Sequence, residues 1–381
     1  MRLVADWLTD PATTAVIDAL EQGGARAWFV GGCVRDGLLG RAMGDIDIAT
    51  DVPPGRVAEI AGAAGIRCVP TGEDHGTVTL VTDHRPFEVT TLRRDVETDG
   101  RRATVAYTDR LDEDAHRRDF TINALYSLRD GTVLDPTGEG LTDIAAGRVR
   151  FIGDPHDRIA EDYLRILRFF RFHAWYSAPG GGLDAAGLAA SAEMAEGLGR
   201  LSRERVGAEM RKLLAAPDPA PSVAAMAQGG VLARILPGAD ARMLPVLVAL
   251  EDGLPADPLR RLATLGGEDP AGRLRLSKAE ARRLALLRDG MSNAASPGEL
   301  GYRHGRDTAR EILLLRAAAE ARAPDPAALA AAARGAAAVF PVKASDLMPA
   351  FEGPALGAEL SRLERAWIDS GFRLGPHDLL S

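Results

Sequence analysis

Two aspartates separated by one residue, Asp45 and Asp47, are where chemistry first becomes legible in this chain. They stand in GDIDIAT, where Ile46 and Ile48 alternate with them as on a half-buried strand. Side chains two apart on a strand share a face and lie roughly 6.5–7 Å apart along it. The carboxylates can therefore converge on shared Mg²⁺ ions while the isoleucines face the core. Hard cations bound to phosphates favour oxygen donors of this kind, and paired ions clamp the attacking and leaving oxygens of a phosphoryl displacement. Just upstream, Trp28, Phe29 and Val30 read as a strand running into Gly31-Gly32, where the backbone can approach a ligand closely. Backbone N–H groups there, beside Arg35, suit an anion such as a triphosphate. Singly, Gly-Gly is a turn and Asp-x-Asp a solvated edge. The combination is far more specific.

A second constellation lies in EDYLRILRFFRF (161–172), whose Leu164, Leu167 and Phe170 form a helical ridge. On such a helix Asp162 and Arg165 are neighbours, about 60° apart round the axis. One reading is an intrahelical salt bridge worth ~0.3–0.5 kcal/mol. The other is recognition of a base. Cytosine and adenine both offer an amino donor beside a ring-nitrogen acceptor, which a carboxylate and a guanidinium complement. Uracil and guanine present a carbonyl and an N–H there, and the mismatch leaves polar groups unpaired. Such a pair selects C and A without a template. Arg168 and Arg171 keep the three-residue spacing but drift by a further 60° each, so Arg171 lies nearly opposite Asp162 and faces phosphate or a neighbouring helix.

Elements must hold these groups. Asp10-Pro11 starts a helix running towards residue 22 and Pro53-Pro54 starts another through Ile60. GTVTLVT (76–82) and RPFEVTTL (85–92) alternate as paired strands, the second placing Glu88 on one face with Thr90. Glu88 is thus either a third acid near the metals or an acid paired with an arginine. The polar stretch 93–104, with Gly100, reads as a solvated hairpin loop. LSRERVGAEMRKLL (201–214) is a helix with a capping signal in Ser202 and Arg205, and Ser277 with Glu280 forms a better capping box. Arg273, Arg275, Lys278, Arg282 and Arg283 make the strongest local basic cluster of the C-terminal half: an exposed helical face or a phosphate-tracking surface.

Four motifs occur in order: GG-x-VRD-x-LLG with D-x-D-x-AT, then RRDFTINAL at 117–125, E-D-x-x-R-x-x-R, and Ser-x-Glu-Arg with Glu209. Together they resemble the nucleotidyltransferase superfamily in the version held by class II CCA-adding enzymes and bacterial poly(A) polymerases, over roughly residues 25–215. The resemblance implies Asp45 and Asp47 as metal ligands. It implies Gly32, Arg35 and Arg118 at the triphosphate, and Asp162 with Arg165 at the base, with Arg168 and Arg171 also on the nucleotide-binding side. It makes 93–104 a mobile loop needed for the terminal A, and gives Ser-x-Glu-Arg and Glu209 the task of bracing the preceding helix. The implied substrates are a tRNA 3′ end, CTP and ATP, with Mg²⁺ as cofactor.

The expected fold is α+β: a nucleotidyltransferase head of mixed β-sheet and flanking helices (1–150), a helical neck (151–215), and a helical body and tail (216–381) that binds tRNA. Poly(A) synthesis, CC-only addition and A-only addition share the motifs. A catalytically dead RNA-binding protein would need a lost acid or phosphate turn, and both are intact. A small-molecule nucleotidyltransferase would not need so large a helical tail.

Composition agrees without deciding. The 381 residues suffice for two or three domains, and 26% charged with 5% aromatic is ordinary for a soluble protein. Two cysteines, Cys33 and Cys68, make neither a disulfide framework nor a zinc site and suit a reducing cytoplasm. The N-terminus lacks signal-peptide character, and no apolar run spans a bilayer. A net charge of −8 opposes indiscriminate nucleic-acid binding, though a local basic patch escapes that test. Nothing in the pattern sets an oligomeric state.

Overall fold

The computed structural model describes residues 1–42, 44–72, 76–99 and 102–381, with backbone alone at 95–99 and 102–105. The chain forms two compact units, one of Met1–Glu209 with Gln228–Ile235, the other of Met210–Ala227 with Leu236–Ser381.

The first unit is built on a seven-stranded mixed sheet. Its strands are β1 (Ala27–Val30), β2 (Asp47–Thr50), β3 (Arg67–Gly72), β4 (Thr77–Thr82), β5 (Arg85–Thr91), β8 (Tyr126–Ser127) and β9 (Val133–Leu134). They lie in the order β3-β4-β5-β2-β1-β8-β9. Among the described residues only β2 and β5 pair in parallel, with Asp47 opposite Glu88 and Ile48 opposite Val89. A parallel pair needs a long crossover, which here comprises α3 (Pro54–Ala63), β3 and β4. Before it stand α1 (Pro11–Gln22), capped by Asp10, whose carboxylate accepts from Thr13 N–H, and α2 (Gly32–Leu38). Ile46 and Ile48 are buried as their alternation requires, but Asp45 precedes β2 instead of lying within it.

The stretch expected to be a loop forms a separate two-stranded ribbon, β6 (Arg93–Asp99) against β7 (Arg102–Tyr107). Thr98, Thr104 and Val105 are β-branched residues that favour extended backbone, and pairing satisfies the peptide groups that a loop would leave to water. Gly100 and Arg101 lie outside the described residues.

Helices α4 (Leu111–His116), α5 (Gly140–Ala146), α6 (Pro155–Glu161), α7 (Leu164–Tyr176), α8 (Ala185–Glu193) and α9 (Arg203–Leu214) follow. Phe120, the fourth residue of RRDFTINAL, is fully buried against Phe151 (centroids 4.8 Å apart) and Phe172 (5.2 Å). This aromatic cluster docks α7 on the motif.

The second unit is built from helices, among them α10 (Ala220–Gln228), which begins in it. After α11 (Val231–Ile235) in the first unit come α12 (Leu244–Leu250), α13 (Pro258–Leu265), α14 (Pro270–Arg273), α15 (Lys278–Ser292), α16 (Pro297–His304), α17 (Arg306–Ala319), α18 (Pro326–Ala337), α19 (Gly353–Asp369) and α20 (Pro376–Leu380). The expected Ser277/Glu280 capping box opens α15. Trp367, with Leu363 and Ile368 beside it, centres the terminal core. No helix among the described residues is long and apolar enough to cross a membrane.

Candidate active site

The parallel pairing of β2 with β5 sets Asp47 and Glu88 side by side. Asp47 is half-buried and its carboxylate accepts no hydrogen bond from the described residues. Burial, the Glu88 carboxylate and, less strongly, Asp45 push its carboxyl up to about 6, with Arg118 opposing them. Asp45 is exposed at the strand's entrance. The described residues assemble no group of three metal-ligating side chains. What they offer is a crowded pair of carboxylates with a third nearby. That donor set fits a hard cation, which takes one or two carboxylates and draws its other oxygens from water and substrate phosphates.

Gly31 caps α2 with φ 71°, a left-handed conformation that costs glycine least. A Cβ at this position would stand 3.6 Å from Arg118 Nη1 and 3.7 Å from the Asn123 carbonyl. Arg118 thus lies over the glycine turn and within electrostatic reach of Asp47. Its Nε and Nη2 donate to Asp114 Oδ2 at 3.1 and 2.9 Å, and Nε also donates to the Tyr126 hydroxyl. Nη1 makes no hydrogen bond with the described residues. Asp114 is 1% exposed and also accepts from Arg117 Nε and from Arg93 N–H at the foot of the β6–β7 ribbon. Burial alone would push its carboxyl up, but Arg118 and Arg117 outweigh that and hold it well below the carboxylate range.

Arg35, expected at the triphosphate, is 6% exposed and turned inward. It donates to Asn123 Oδ1 (2.5 Å), Asp36 (2.9 and 3.0 Å) and the Tyr176 hydroxyl (2.7 Å). A guanidinium on α2 reaches this polar pocket more readily than the mouth of the turn. Gly32 is the first residue of α2, with Arg35 Nη2 3.8 Å from where its Cβ would be.

The helix expected over 161–172 breaks at Asp162, whose backbone is extended (φ −154°, ψ 107°), and α7 starts at Leu164. The cause is local: Asp162 Oδ1 accepts from Leu164 N–H at 3.0 Å, the turn-forming bond by which aspartate competes with helix. Asp162 and Arg165 are therefore not neighbours on one helix, and the intrahelical bridge does not form. Asp162 Oδ2 accepts from Arg205 Nη2 at 2.6 Å. Arg165 donates to Glu161 (2.5 Å) and to the carbonyls of Arg158 and Arg117, so α7 abuts the residue preceding Arg118.

Arg168 is bonded to Asp119 (2.6 Å from Nε), and Asp119 accepts in turn from Asn123 Nδ2. Arg171 is bonded to the buried Glu209 (2.5 Å) and lies over the Phe172 ring, so it covers a neighbouring helix. Glu209 on α9 does brace α7.

In the second unit Arg283 is bonded to Asp257 (2.8 Å) and Glu311 (2.6 Å). Lys278 and Arg282 are exposed, as is Arg275, while Arg273 is half-buried. A cavity of about 350 Å³ that the sequence did not signal is lined by Arg306, Asp307, Arg310, Leu329 and Ala332.

Asp114, Asp119, Asn123 and Tyr126 are not singled out by the sequence, and Arg205 is singled out only as part of a bracing motif and a cap, without its partner Asp162. The first had a signal, since Asp114 and Arg118 are four apart on a helical turn.

Residues 27–150 match the poly A polymerase head domain, and 183–243 match a domain described as the probable RNA- and SrmB-binding site of polymerase A. The mitochondrial CCA tRNA nucleotidyltransferase 1 of Mus musculus is 35% identical over 93% of this chain and 85% of its own. The CCA-adding enzyme of Lacticaseibacillus paracasei is 40% identical over 55% of this chain and 52% of its own. The crystal structure of the Bacillus stearothermophilus CCA-adding enzyme in complex with CTP superposes with a TM-score of 0.73 at 27% identity, over 96% of this chain and 94% of that one. With a relative so similar along almost its whole length, this chain belongs to the CCA tRNA nucleotidyltransferases.

Proposed function

We propose that this chain adds C, C and A to the 3′ end of tRNA from CTP and ATP, without a nucleic-acid template, and with Mg²⁺ as its cation. The observation that carries the reading is the convergence of the Asp47–Glu88 pair, the Gly31 turn and the open Nη1 of Arg118 in a chain so similar to the murine enzyme. The terminal hydroxyl of the RNA attacks the α-phosphorus of the nucleotide. An O–P bond forms, the bond to the β-phosphate bridging oxygen breaks, and pyrophosphate leaves.

A divalent cation bound at Asp45 and Asp47, with Glu88 as a third acid, would acidify the attacking hydroxyl and neutralise charge on the phosphates. The chain's own contribution is placement. Arg118, fixed by Asp114 and Tyr126, presents Nη1 to a triphosphate lying along Gly31-Gly32. Arg35 supports that turn from beneath through Asn123. Asp162 meets the base with the lone pairs that Leu164 N–H and Arg205 leave open, and Arg165 joins it once nucleotide exchanges for the groups it now bonds, with Arg168 and Arg171 holding α7 behind them.

We read residues 1–150 as the catalytic head, 151–215 as a neck and 216–381 as the tRNA-binding body and tail, with Arg273, Arg275, Lys278 and Arg282 on its RNA side and Arg283 held instead by Asp257 and Glu311. The setting is cytoplasmic, although the murine relative is mitochondrial. The test is incubation with tRNA lacking CCA, lacking CA and lacking A, offering CTP and ATP separately. Full CCA addition requires CTP use on the first two and ATP use on the third. Long A tails would make the chain a poly(A) polymerase, and use of one nucleotide only would make it a partial CC- or A-adding enzyme.

A further inference from the structure

A carboxylate that reads a base must hold still, and Asp162 sits outside both helices that flank it. Extended backbone at a helix break gives no rotational restraint of its own. Two bonds supply it: Leu164 N–H to Oδ1 and Arg205 Nη2 to Oδ2. Arg165 cannot share the task, because Glu161 and two carbonyls occupy its guanidinium. Arg205 stands on α9 four residues before Glu209, so both lie on one face of that helix. Glu209 holds Arg171 within α7 while Arg205 holds Asp162 just ahead of it, the two ion pairs running in opposite polarity.

We infer that Arg205 is a positioning residue for nucleotide selection, orienting the Asp162 carboxylate so that its remaining lone pairs meet the amino group of C or A. The inference rests on Asp162 reading bases, as proposed above. A carboxylate has about four acceptor sites, and the two bonds leave about two of them for ligand. With side-chain exposures of 32% and 37%, Asp162 and Arg205 are reached by solvent and hence by a nucleotide. A solvated bridge of this kind contributes little to folding. Its loss therefore shows in selectivity more than in stability.

The experiment is a double-mutant cycle on Arg205→Ala and Asp162→Ala, with Arg205→Lys and Arg205→Gln alongside. The readouts are kcat/KM for CTP and UTP on tRNA lacking CCA and for ATP on tRNA lacking only A, together with the thermal midpoint of each variant. R205A lowers kcat/KM for CTP and ATP by roughly tenfold, the scale of a coupled pair of neighbouring side chains, and lowers UTP use by less. Because Arg205 makes a single bond to Asp162, R205K recovers most of the loss. In a D162A background, R205A adds little.

Equal losses for all three nucleotides, or the same R205A factor with and without Asp162, would overturn the inference and leave Arg205 a structural or RNA-facing side chain. If R205A lowers the midpoint enough to deplete folded protein, R205Q carries the cycle, since it keeps the stem and one N–H donor. Failure of the underlying reading looks different: D162A alone then keeps the wild-type preference for CTP over UTP, whatever Arg205 does.

Discussion

Two buried charge clusters, one in each unit, are alike in composition and opposite in completeness. In the second unit Glu251 accepts from Arg260 Nε (2.7 Å) and from Arg261 Nε (2.8 Å), and all three side chains are at most 6% exposed. Arg261 spends its other nitrogens on the carbonyls of Leu214, Ala216 and Pro217. Nothing there is left over. In the first unit Asp114 gathers Arg93, Arg117, Arg118 and Tyr126 just as fully, yet Arg118 keeps Nη1 open over Gly31, and the Asp47 carboxylate has no hydrogen-bond partner among the described residues. Satisfied charge builds architecture, and unsatisfied charge awaits a ligand. A buried polar group without a partner costs free energy, so its persistence at Asp47 marks the place where folding yields to chemistry.

The sharpest way to break this contrast is to remove charge from each cluster. Asp47→Asn should abolish incorporation of C and of A, by at least about a thousandfold on the scale of lost electrostatic catalysis, with tRNA affinity within a few-fold. Asp45→Asn should do the same. Stability should move the other way in metal-free protein. The folded Asp47 carboxyl titrates near 6 against an ordinary value of 3.8. Ionised, it costs the folded state above pH 6. As pH falls from 6 towards 4 the folded form takes up the proton first and the cost disappears. D47N should therefore stabilise the fold at pH 8 by on the order of 1–2 kcal/mol after solvent screening, seen as a higher thermal midpoint, and lose that gain as pH falls from 6 towards 4. Ordinary turnover in D47N would end the metal-ligand assignment, and a pH-independent midpoint difference would remove the electrostatic account.

Glu251→Ala should have the converse signature. It strands two buried guanidiniums, and breaking a buried pair costs about 3–5 kcal/mol. Urea unfolding monitored at the second unit would register that loss, while turnover per folded molecule at saturating tRNA stays near wild type. A stable, inactive E251A would show that completeness does not separate architecture from chemistry.

How far this division was legible in the sequence depends on the range of the interaction. The Asp10-Pro11 start, the Ser277/Glu280 box and the Ile46/Ile48 alternation are local and stood in plain view. Asp47 beside Glu88 depends on strand order, and alternation fixes only which face each side chain takes. The break at Asp162 was hidden because the apolar ridge Leu164–Leu167–Phe170 keeps its period, while one side-chain bond to Leu164 N–H ends the preceding helix. Arg205 was visible in its motif, but its pairing with Asp162, 43 residues earlier, could be found only from the fold. Arg35 shows the same limit from the other side: its position in the motif was visible, its inward turn towards Asn123 was not.

The β6–β7 ribbon adjoins the first of the two clusters, its first N–H ending on Asp114. Shortening it between Arg93 and Thr104 should leave C addition within a few-fold and lower the terminal A by at least about tenfold, if the pocket must readjust for the larger base. Single-turnover rates on tRNA lacking CCA and on tRNA lacking only A check this. Equal loss of both nucleotides would make the ribbon part of the scaffold that holds Asp114.

The smallest effects belong to the arginines of the second unit, where the same contrast applies at the surface. Arg283 is committed to Asp257 and Glu311, whereas Arg282, Arg306 and Arg310 form no ion pair among the described residues. Arg306 and Arg310 are four apart on α17 and line the same cavity. Removing one arginine that neutralises a phosphate should flatten the slope of log affinity for tRNA against log salt by ~0.7–0.9. R282A should therefore shift the slope by about one such step and R306A/R310A by about two, each raising KM for tRNA a few-fold and leaving KM for CTP unchanged. R283A should lower the thermal midpoint and leave the slope alone, because its charge already has partners. If R283A flattens the slope as much as R282A does, RNA competes successfully for a paired arginine. Pairing within the protein would then no longer distinguish scaffold from binding surface.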